Sequence, residues 1–153
     1  MRRTDSASRV IHASPQAIYR ALVDPETLLT WLPPAGMRGQ LYVFEPRVGG
    51  RYRMSLTYLD PGDSTPGKTS RHEDVVQGQF FELVPGERVV QQVEFESGDP
   101  AFAGAMRMTW SLAPVPEGTK ITVLCEDVPD GIRKEDHDAG LRSTLSNLAA
   151  LFE

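Results

Sequence analysis

The sequence contains a single cysteine, Cys125, and no long run of apolar residues. One thiol cannot form a disulfide within the chain, and zinc sites built on thiolates need at least two, so both frameworks are excluded. The longest uninterrupted apolar run spans only residues 148–152, whereas a membrane-spanning helix needs about 20 such residues. We therefore expect no membrane-spanning segment.

Positive charge is also scarce, because 16 lysine and arginine residues stand against 21 aspartate and glutamate residues, a net charge of −5. A protein that holds a phosphate backbone needs a basic surface, so this balance argues against nucleic-acid binding. Arg2 and Arg3 are followed by polar residues rather than by the apolar stretch of a secretory signal. We expect a cytoplasmic protein in which the cysteine is reduced.

The length of 153 residues suits one domain, and neither a repeat nor a change in composition divides it, so we expect a single domain over residues 1–153. A short extended segment at residues 8–13 comes first. It is followed by a serine-proline pair at residues 14–15 and an aspartate-proline pair at residues 24–25. Each pair combines an N-cap residue with a proline suited to the first helical position, which predicts two short helices.

The apolar residues then change period between residues 38 and 127. Six segments alternate apolar and polar side chains, and glycine- or proline-containing turns separate them. Strands joined by short turns pair in an antiparallel manner, so we predict a meander of six strands with one apolar face.

A helical period returns in the last part of the chain, where Leu141, Leu145 and Leu148 share one face of a helix predicted over residues 134–152. Gly140 lies inside this helix, where glycine costs about 1 kcal/mol relative to alanine, so we expect a close backbone approach there. This helix is the only predicted element large enough to cover the apolar face of the sheet. The fold class predicted is therefore α+β.

Residues 62–69 match the phosphate-binding pattern G-x-x-x-x-G-K-[ST]. Such a loop must lie between a strand and a helix, but here both flanks have the pattern of strands. Pro66 also lacks the N–H group that would line a phosphate cradle. We interpret residues 60–68 as a long hairpin loop and expect no nucleotide.

Histidine lies beside carboxylates at residues 72–74 and 136–138. Consecutive residues of a helix point about 100° apart and cannot converge on one ion, and in a strand His72 and Asp74 would lack a third ligand. We interpret both clusters as solvated charges and expect neither a metal nor a cofactor, although His137 could border a cavity. No G-x-S-x-G nucleophile motif occurs.

An aromatic and thioether stripe is formed by residues at alternating strand positions, namely Tyr52, Met54, Met106, Met108 and Trp110. The stripe is compatible with a solid core. It is equally compatible with a deformable apolar pocket, because methionine is flexible. The two interpretations predict the same sequence and differ only in whether space remains.

Four strings in a fixed order resemble a known family: WLPPAGM at residues 31–37, VGGRYRM at 48–54, GQFFELVPGER at 78–88 and DHDAGL at 136–141. Together they resemble the START-like (SRPBCC, helix-grip) superfamily and, within it, the homologues of the activator of heat-shock protein 90 ATPase. The resemblance covers essentially the whole chain. Many such proteins carry tryptophan where Leu141 stands.

The resemblance implies a seven-stranded antiparallel sheet curved around the long C-terminal helix, with two short helices after strand 1 and a cavity between sheet and helix. The superfamily includes lipid and hormone carriers, so we expect an apolar or aromatic small molecule as ligand. The expected wall residues are Trp31, Tyr52, Met54, Phe80, Phe95, Met108, Trp110, Leu141 and Leu145, with His72 or His137 as polar contacts.

Two other functions stay open at this stage. Polyketide cyclases and hydratase-type enzymes share the fold, but the strand carboxylates Glu45, Glu82 and Glu126 do not alternate clearly toward the apolar face. A chaperone-linked interaction module or a homodimer would need an exposed apolar patch on the outer face. The chaperone activators resemble this chain only in their C-terminal part and carry an additional N-terminal domain, so we do not expect a chaperone partner.

Overall fold

A computed structural model describes residues 3–59 and 73–152. Within these ranges, seven strands and three α-helices follow one another as β1 Arg3–Ile11, α1 Pro15–Val23, α2 Pro25–Trp31, β2 Met37–Phe44, β3 Arg51–Tyr58, β4 Glu73–Val84, β5 Arg88–Phe95, β6 Met106–Val115, β7 Gly118–Val128 and α3 Lys134–Ala150. The predicted loop at residues 60–68, its phosphate-loop pattern and His72 lie outside the described residues.

The strands form one antiparallel sheet in the order β1-β7-β6-β5-β4-β3-β2. The six-strand meander is confirmed, because β2 to β7 pair with their neighbours in chain order. β1 is longer than the predicted segment at residues 8–13 and begins at Arg3, since its polar first half pairs with β7 through Asp5↔Cys125 and Ser6↔Leu124. Backbone pairing, rather than an apolar pattern, extends this strand.

Both predicted helix starts are confirmed. The Ser14 hydroxyl accepts a hydrogen bond from the backbone N–H of Ala17 at 3.2 Å, and the Asp24 carboxylate accepts one from the N–H of Thr27 at 3.1 Å. Such caps satisfy N–H groups that have no partner within the first helical turn. The indole N–H of buried Trp31 donates to the carbonyl of Ala21 at 3.0 Å, which joins α2 to α1.

The long helix α3 lies on the inner face of the sheet with Leu141, Leu145 and Leu148 buried. Its polar side chains fasten it to the loop after α2, because Thr144 donates to the carbonyl of Leu32 at 2.9 Å and Asn147 to that of Pro33 at 3.1 Å. A seven-stranded antiparallel sheet covered by a C-terminal helix is the predicted α+β helix-grip arrangement. None of the helices in the described ranges is long and apolar enough to cross a membrane.

The close backbone approach expected at Gly140 is wrong. A Cβ atom at this position would meet no atom within 4 Å outside the helix's own neighbouring backbone. A close approach occurs instead at other glycines, for example at Gly78 on β4, where a Cβ would stand 1.7 Å from the carbonyl oxygen of Gln92 and 2.7 Å from the hydroxyl of Tyr52. Only glycine leaves room there for the Tyr52 side chain to cross the strand.

Candidate functional site

A cavity of about 770 Å³ lies between α3 and the sheet. Strands β2 to β6 supply half of its wall, and the rest comes from the helices, mainly α3, and from loops such as the one before β2. Five wall residues are exposed and mark the side on which the cavity opens to solvent, namely Ala35, Gly36, Arg133, Asp136 and Ala139. This open side is formed by the loop before β2 and the beginning of α3.

Strand register explains which side chains face the cavity. Side chains two residues apart lie on the same face of a sheet, and directly paired residues on neighbouring strands share a face. Phe80 on β4 pairs with Gln91 on β5, which pairs with Met108 on β6, so these three form one row across the cavity wall. Met54 and Val76 form a parallel row on β3 and β4.

Most of the predicted contact residues border the cavity, namely Trp31, Tyr52, Met54, Phe80, Phe95, Met108, Trp110, His137 and Leu141. Leu145 does not, because it lies one turn further along α3, where the helix packs directly into the core with 1% of the residue exposed. His72 lies outside the described residues. Met106, which belongs to the stripe seen in the sequence, also lines the wall.

Aromatic rings hold one another in place within this wall. The Trp31 and Trp110 rings meet edge to face with centroids 5.7 Å apart, and Phe80 meets Phe44 in the same way, also at 5.7 Å. Tyr52 packs against Phe80 at 5.4 Å. Edge-to-face pairs are favoured over parallel sandwiches because the ring edge is positive and the face negative, so these rings form a rigid part of the wall.

Two polar side chains meet inside the apolar wall. The Tyr52 hydroxyl donates to the carbonyl of Gln92 at 2.6 Å and accepts from the Gln91 side-chain amide at 3.2 Å. Burial raises the pKa of Tyr52, so this phenol stays neutral. Its only hydrogen is used by Gln92, whereas the Gln91 carbonyl oxygen and second N–H have no hydrogen-bond partner among the described residues.

Sequence reasoning missed Gln91 and Asp74. Asp74 belongs to the cluster at residues 72–74 that we interpreted as solvated, but it is only 4% exposed and borders the cavity, so that interpretation is wrong for this residue. The signal was present in both cases. Asp74 lies two residues before inward-facing Val76, and Gln91 alternates with Val89 and Val93, so strand parity directs both inward.

A charged cluster stands where β1 meets the start of α3. The Asp5 carboxylate accepts hydrogen bonds from Arg3 Nε at 2.8 and 3.0 Å and contacts His137 Nδ1 at 2.7 Å, with Lys134 Nζ at 3.6 Å. Burial alone would raise the pKa of Asp5, but the hydrogen bonds from Arg3 and His137 outweigh it and hold the pKa below its ordinary value. Among the described residues, no group of three or more potential ligands could hold a metal ion.

The fold and its cavity define a protein of the START-like, helix-grip class. A family model described as "Activator of Hsp90 ATPase homolog 1-like protein" matches residues 12–153. The chain belongs to this family, as the sequence strings predicted. The matched range does not include Asp5.

Solved structures agree with this assignment. A Chromobacterium violaceum protein is 35% identical with a TM-score of 0.86, and the similarity covers 98% of this chain and 96% of that one. A Silicibacter pomeroyi protein that carries the family's name is 19% identical with a TM-score of 0.78, covering 97% and 96%. The likeness to this second structure shows the fold alone. A search of curated proteins finds no match.

Proposed function

We propose that the protein binds an apolar or aromatic small molecule in the cavity between α3 and the sheet. The observation that carries the proposal is the size and composition of the space. Its volume of about 770 Å³ falls within the roughly 300–1,000 Å³ typical of ligand pockets, and most of its wall is apolar. Each Å² of apolar ligand surface buried there contributes about 25 cal/mol before the costs of ordering.

The wall combines a rigid and an adaptable part. The interlocked aromatic rings are held by one another, whereas Met54, Met106 and Met108 have unbranched side chains that change rotamer at little cost. A wall of this kind suits a range of flat or compact apolar molecules rather than one shape. Gln91 adds a single amide that can pair with a polar group of the ligand.

The direct test is native mass spectrometry of the purified protein, followed by thermal-shift measurements against a library of apolar and aromatic compounds. We expect a bound molecule or a set of stabilising compounds that share an aromatic or alicyclic framework. A protein that carries no small molecule and that no library compound stabilises would contradict the proposal.

A matched pair of variants on β5 locates the binding. Val93 borders the cavity, whereas its neighbour Gln92 does not and lies on the other face of the sheet. We expect Val93→Trp to fill part of the cavity and to weaken binding of any stabilising compound at least tenfold. Gln92→Trp is the control of equal added size and should bind as the wild type does. Equal loss in both variants would locate the ligand elsewhere.

Catalysis in the same cavity is a second candidate, and the burial of Asp74 in the wall favours it. A carboxyl group facing a bound ligand can act as an acid or base, as cyclases and hydratases require. The test is mass spectrometry of library compounds after incubation with the protein. A compound that gains or loses one water molecule with the wild type, but not with Asp74→Asn, would support this candidate. Recovery of every compound unchanged would count against it.

Chaperone-linked interaction, which the family's name suggests, has less support. Two large aromatic residues on the outer face of the sheet, Tyr42 and Phe81, are exposed, but each is flanked by a charged side chain: the Arg53 guanidinium lies 4.9 Å from the Tyr42 ring centre, and that of Arg107 lies 5.6 Å from that of Phe81. Exposed rings that stack with arginine make this surface mixed in character rather than a continuous apolar patch. We therefore place the function in the cavity.

A further inference from the structure

The charged cluster between β1 and α3 does more than hold these two elements together, because it reaches the cavity. Asp5 is 1% exposed, so its carboxylate is removed from water and its geometry is set by its partners. One of these partners, His137, also borders the cavity, with 14% of its side chain exposed. The imidazole thus connects a buried carboxylate on one side to the cavity on the other.

The hydrogen bond to Asp5 determines which imidazole nitrogen carries a proton. An ionised carboxylate can only accept, and the lowered pKa of Asp5 keeps it ionised at neutral pH, so the His137 Nδ1 atom must be the donor across the 2.7 Å contact. A neutral imidazole with its proton on Nδ1 has a lone pair on Nε2. Asp5 therefore determines the hydrogen-bonding role of Nε2, although it contacts only Nδ1.

Nε2 has no hydrogen-bond partner among residues 3–59 and 73–152. It lies on the side of the ring away from Nδ1, and the ring borders the cavity. The Tyr52 hydroxyl, another polar group of the wall, spends its only hydrogen on the Gln92 carbonyl. A neutral His137 thus offers a hydrogen-bond acceptor to a ligand at the open end of the cavity, where Arg133 and Asp136 also border it.

We propose that the ligand carries a hydroxyl group, as phenols and alicyclic alcohols do, and that this hydroxyl donates to Nε2 of His137. In this arrangement Asp5 is a positioning residue that fixes the imidazole tautomer. The inference rests on the proposed function and narrows it from apolar molecules to hydroxylated ones. A carboxylate ligand is disfavoured, because its oxygens would face the Nε2 lone pair.

The test compares two probes that differ in one hydrogen-bond donor, 2-naphthol and 2-methoxynaphthalene. Dissociation constants are measured at pH 7.5 by fluorescence titration of the wild type, His137→Phe and Asp5→Asn. We expect the wild type to bind the naphthol about tenfold more tightly than the ether, which is the effect of one hydrogen bond. His137→Phe keeps a ring of similar shape without nitrogen, so its ratio of the two constants provides the steric baseline.

The Asp5→Asn variant tests whether Asp5 positions the imidazole or only supports the fold. The asparagine amide can donate to Nδ1, which moves the imidazole proton to Nε2 and turns that atom from acceptor to donor. We expect the preference to shift toward the ether relative to the His137→Phe baseline. Nitrogen-15 NMR of the histidine side chains, assigned by the signal lost in His137→Phe, should show the proton on Nδ1 in the wild type and on Nε2 in Asp5→Asn.

The possible failures are distinguishable. If both probes bind and their ratio is the same in all three proteins, the hydroxyl contact is refuted while the proposed function stands. A wild-type proton on Nε2 would equally overturn the inference. If neither probe binds the wild type, both the inference and the proposed function are contradicted. A loss of stability in Asp5→Asn without a change in tautomer would mean that Asp5 only supports the fold.

Discussion

The two halves of α3 pack differently against the same sheet: the second half packs tightly, whereas the first half leaves a cavity. In its second half, Leu145 and Leu148 are buried at 1% and 0% exposure and do not border the cavity. In its first half, Ala139, Gly140 and Leu141 border the cavity of about 770 Å³. The sheet is divided in the same way, because β1 and β7 contribute no wall residue, whereas β2 to β6 all do.

We call β1, β7 and the second half of α3 the closed half, and β2 to β6 with the first half of α3 the open half. The closed half presents β-branched side chains such as Ile11, Ile121 and Val123, which are stiff and fully buried. Cys125 on β7 is part of it, and burial raises the pKa of this thiol to about 12. In the open half, flexible methionine side chains of the sheet lie opposite small residues of α3. Tight packing and open space therefore lie in different parts of one core.

The largest effect expected from this division is the loss of a buried leucine. Leu148→Ala in the closed half should lower the free energy of unfolding by about 3–4 kcal/mol, since it creates a new cavity in packed surroundings. Leu141→Ala, the matched change in the open half, only enlarges an existing space and should cost about half as much. Urea unfolding of both variants measures the difference. Equal losses of stability would contradict the distinction between the closed and the open half.

The next largest effect concerns Asp5, where the two halves join. Asp5→Asn removes a buried charge-assisted cluster and should lower the free energy of unfolding by about 2 kcal/mol at pH 7. Because the pKa of Asp5 in the folded state lies below the ordinary 3.8, its contribution is present above pH 3.8 and is lost as the pH falls through the lower folded value.

Urea unfolding of the wild type and Asp5→Asn at pH 7 and at pH 3 checks this sign. The gap between the two proteins should be wide at pH 7 and narrower at pH 3, because below pH 3.8 the unfolded chain protonates its Asp5 and the carboxylate's contribution to stability falls. A gap that widens toward acid pH would show that the pKa of Asp5 is raised in the folded protein, contrary to the cluster described.

A smaller effect of opposite sign is expected at Gly140 in the open half. Since a Cβ atom there meets open space, Gly140→Ala should raise the free energy of unfolding by about 0.5–1 kcal/mol, the usual gain in helix propensity. Gly78→Ala is the contrasting control and should destabilise strongly, because its Cβ would collide with backbone. Thermal or urea unfolding distinguishes the two, and a loss at Gly140 would indicate a neighbour that approaches closely.

The smallest effect is expected for Gln91→Leu, also in the open half. It removes one hydrogen bond to Tyr52 but replaces an amide by apolar surface, so stability should change by no more than about 0.5 kcal/mol. Tyr52 keeps its bond to the Gln92 carbonyl. A loss comparable to that of Leu148→Ala would mean that the open half carries as much of the stability as the closed one.

Local patterns predicted much of this molecule. The serine-proline and aspartate-proline pairs predicted α1 and α2, and the period of two predicted β2 to β7, because caps and alternation act between near neighbours in the chain. Parity also predicts Gln91 and Asp74 as inward-facing once it is applied to polar residues as strictly as to apolar ones. The first half of β1 carried no such pattern, so the position of Asp5 could not be predicted.

The sequence by itself determined the element order, the inner faces of β3, β5, β6 and β7 and the apolar face of α3. In β2, a bulge after Leu41 turns Phe44 rather than Val43 toward the cavity. Only the tertiary structure decided that Asp5 meets His137, 132 residues later in the chain, and that Leu145 packs while Leu141 borders open space. The physical reason is that periodicity assigns a side chain to a face. Whether that face meets a neighbour or a cavity depends on the distance between α3 and the sheet, which the whole fold sets.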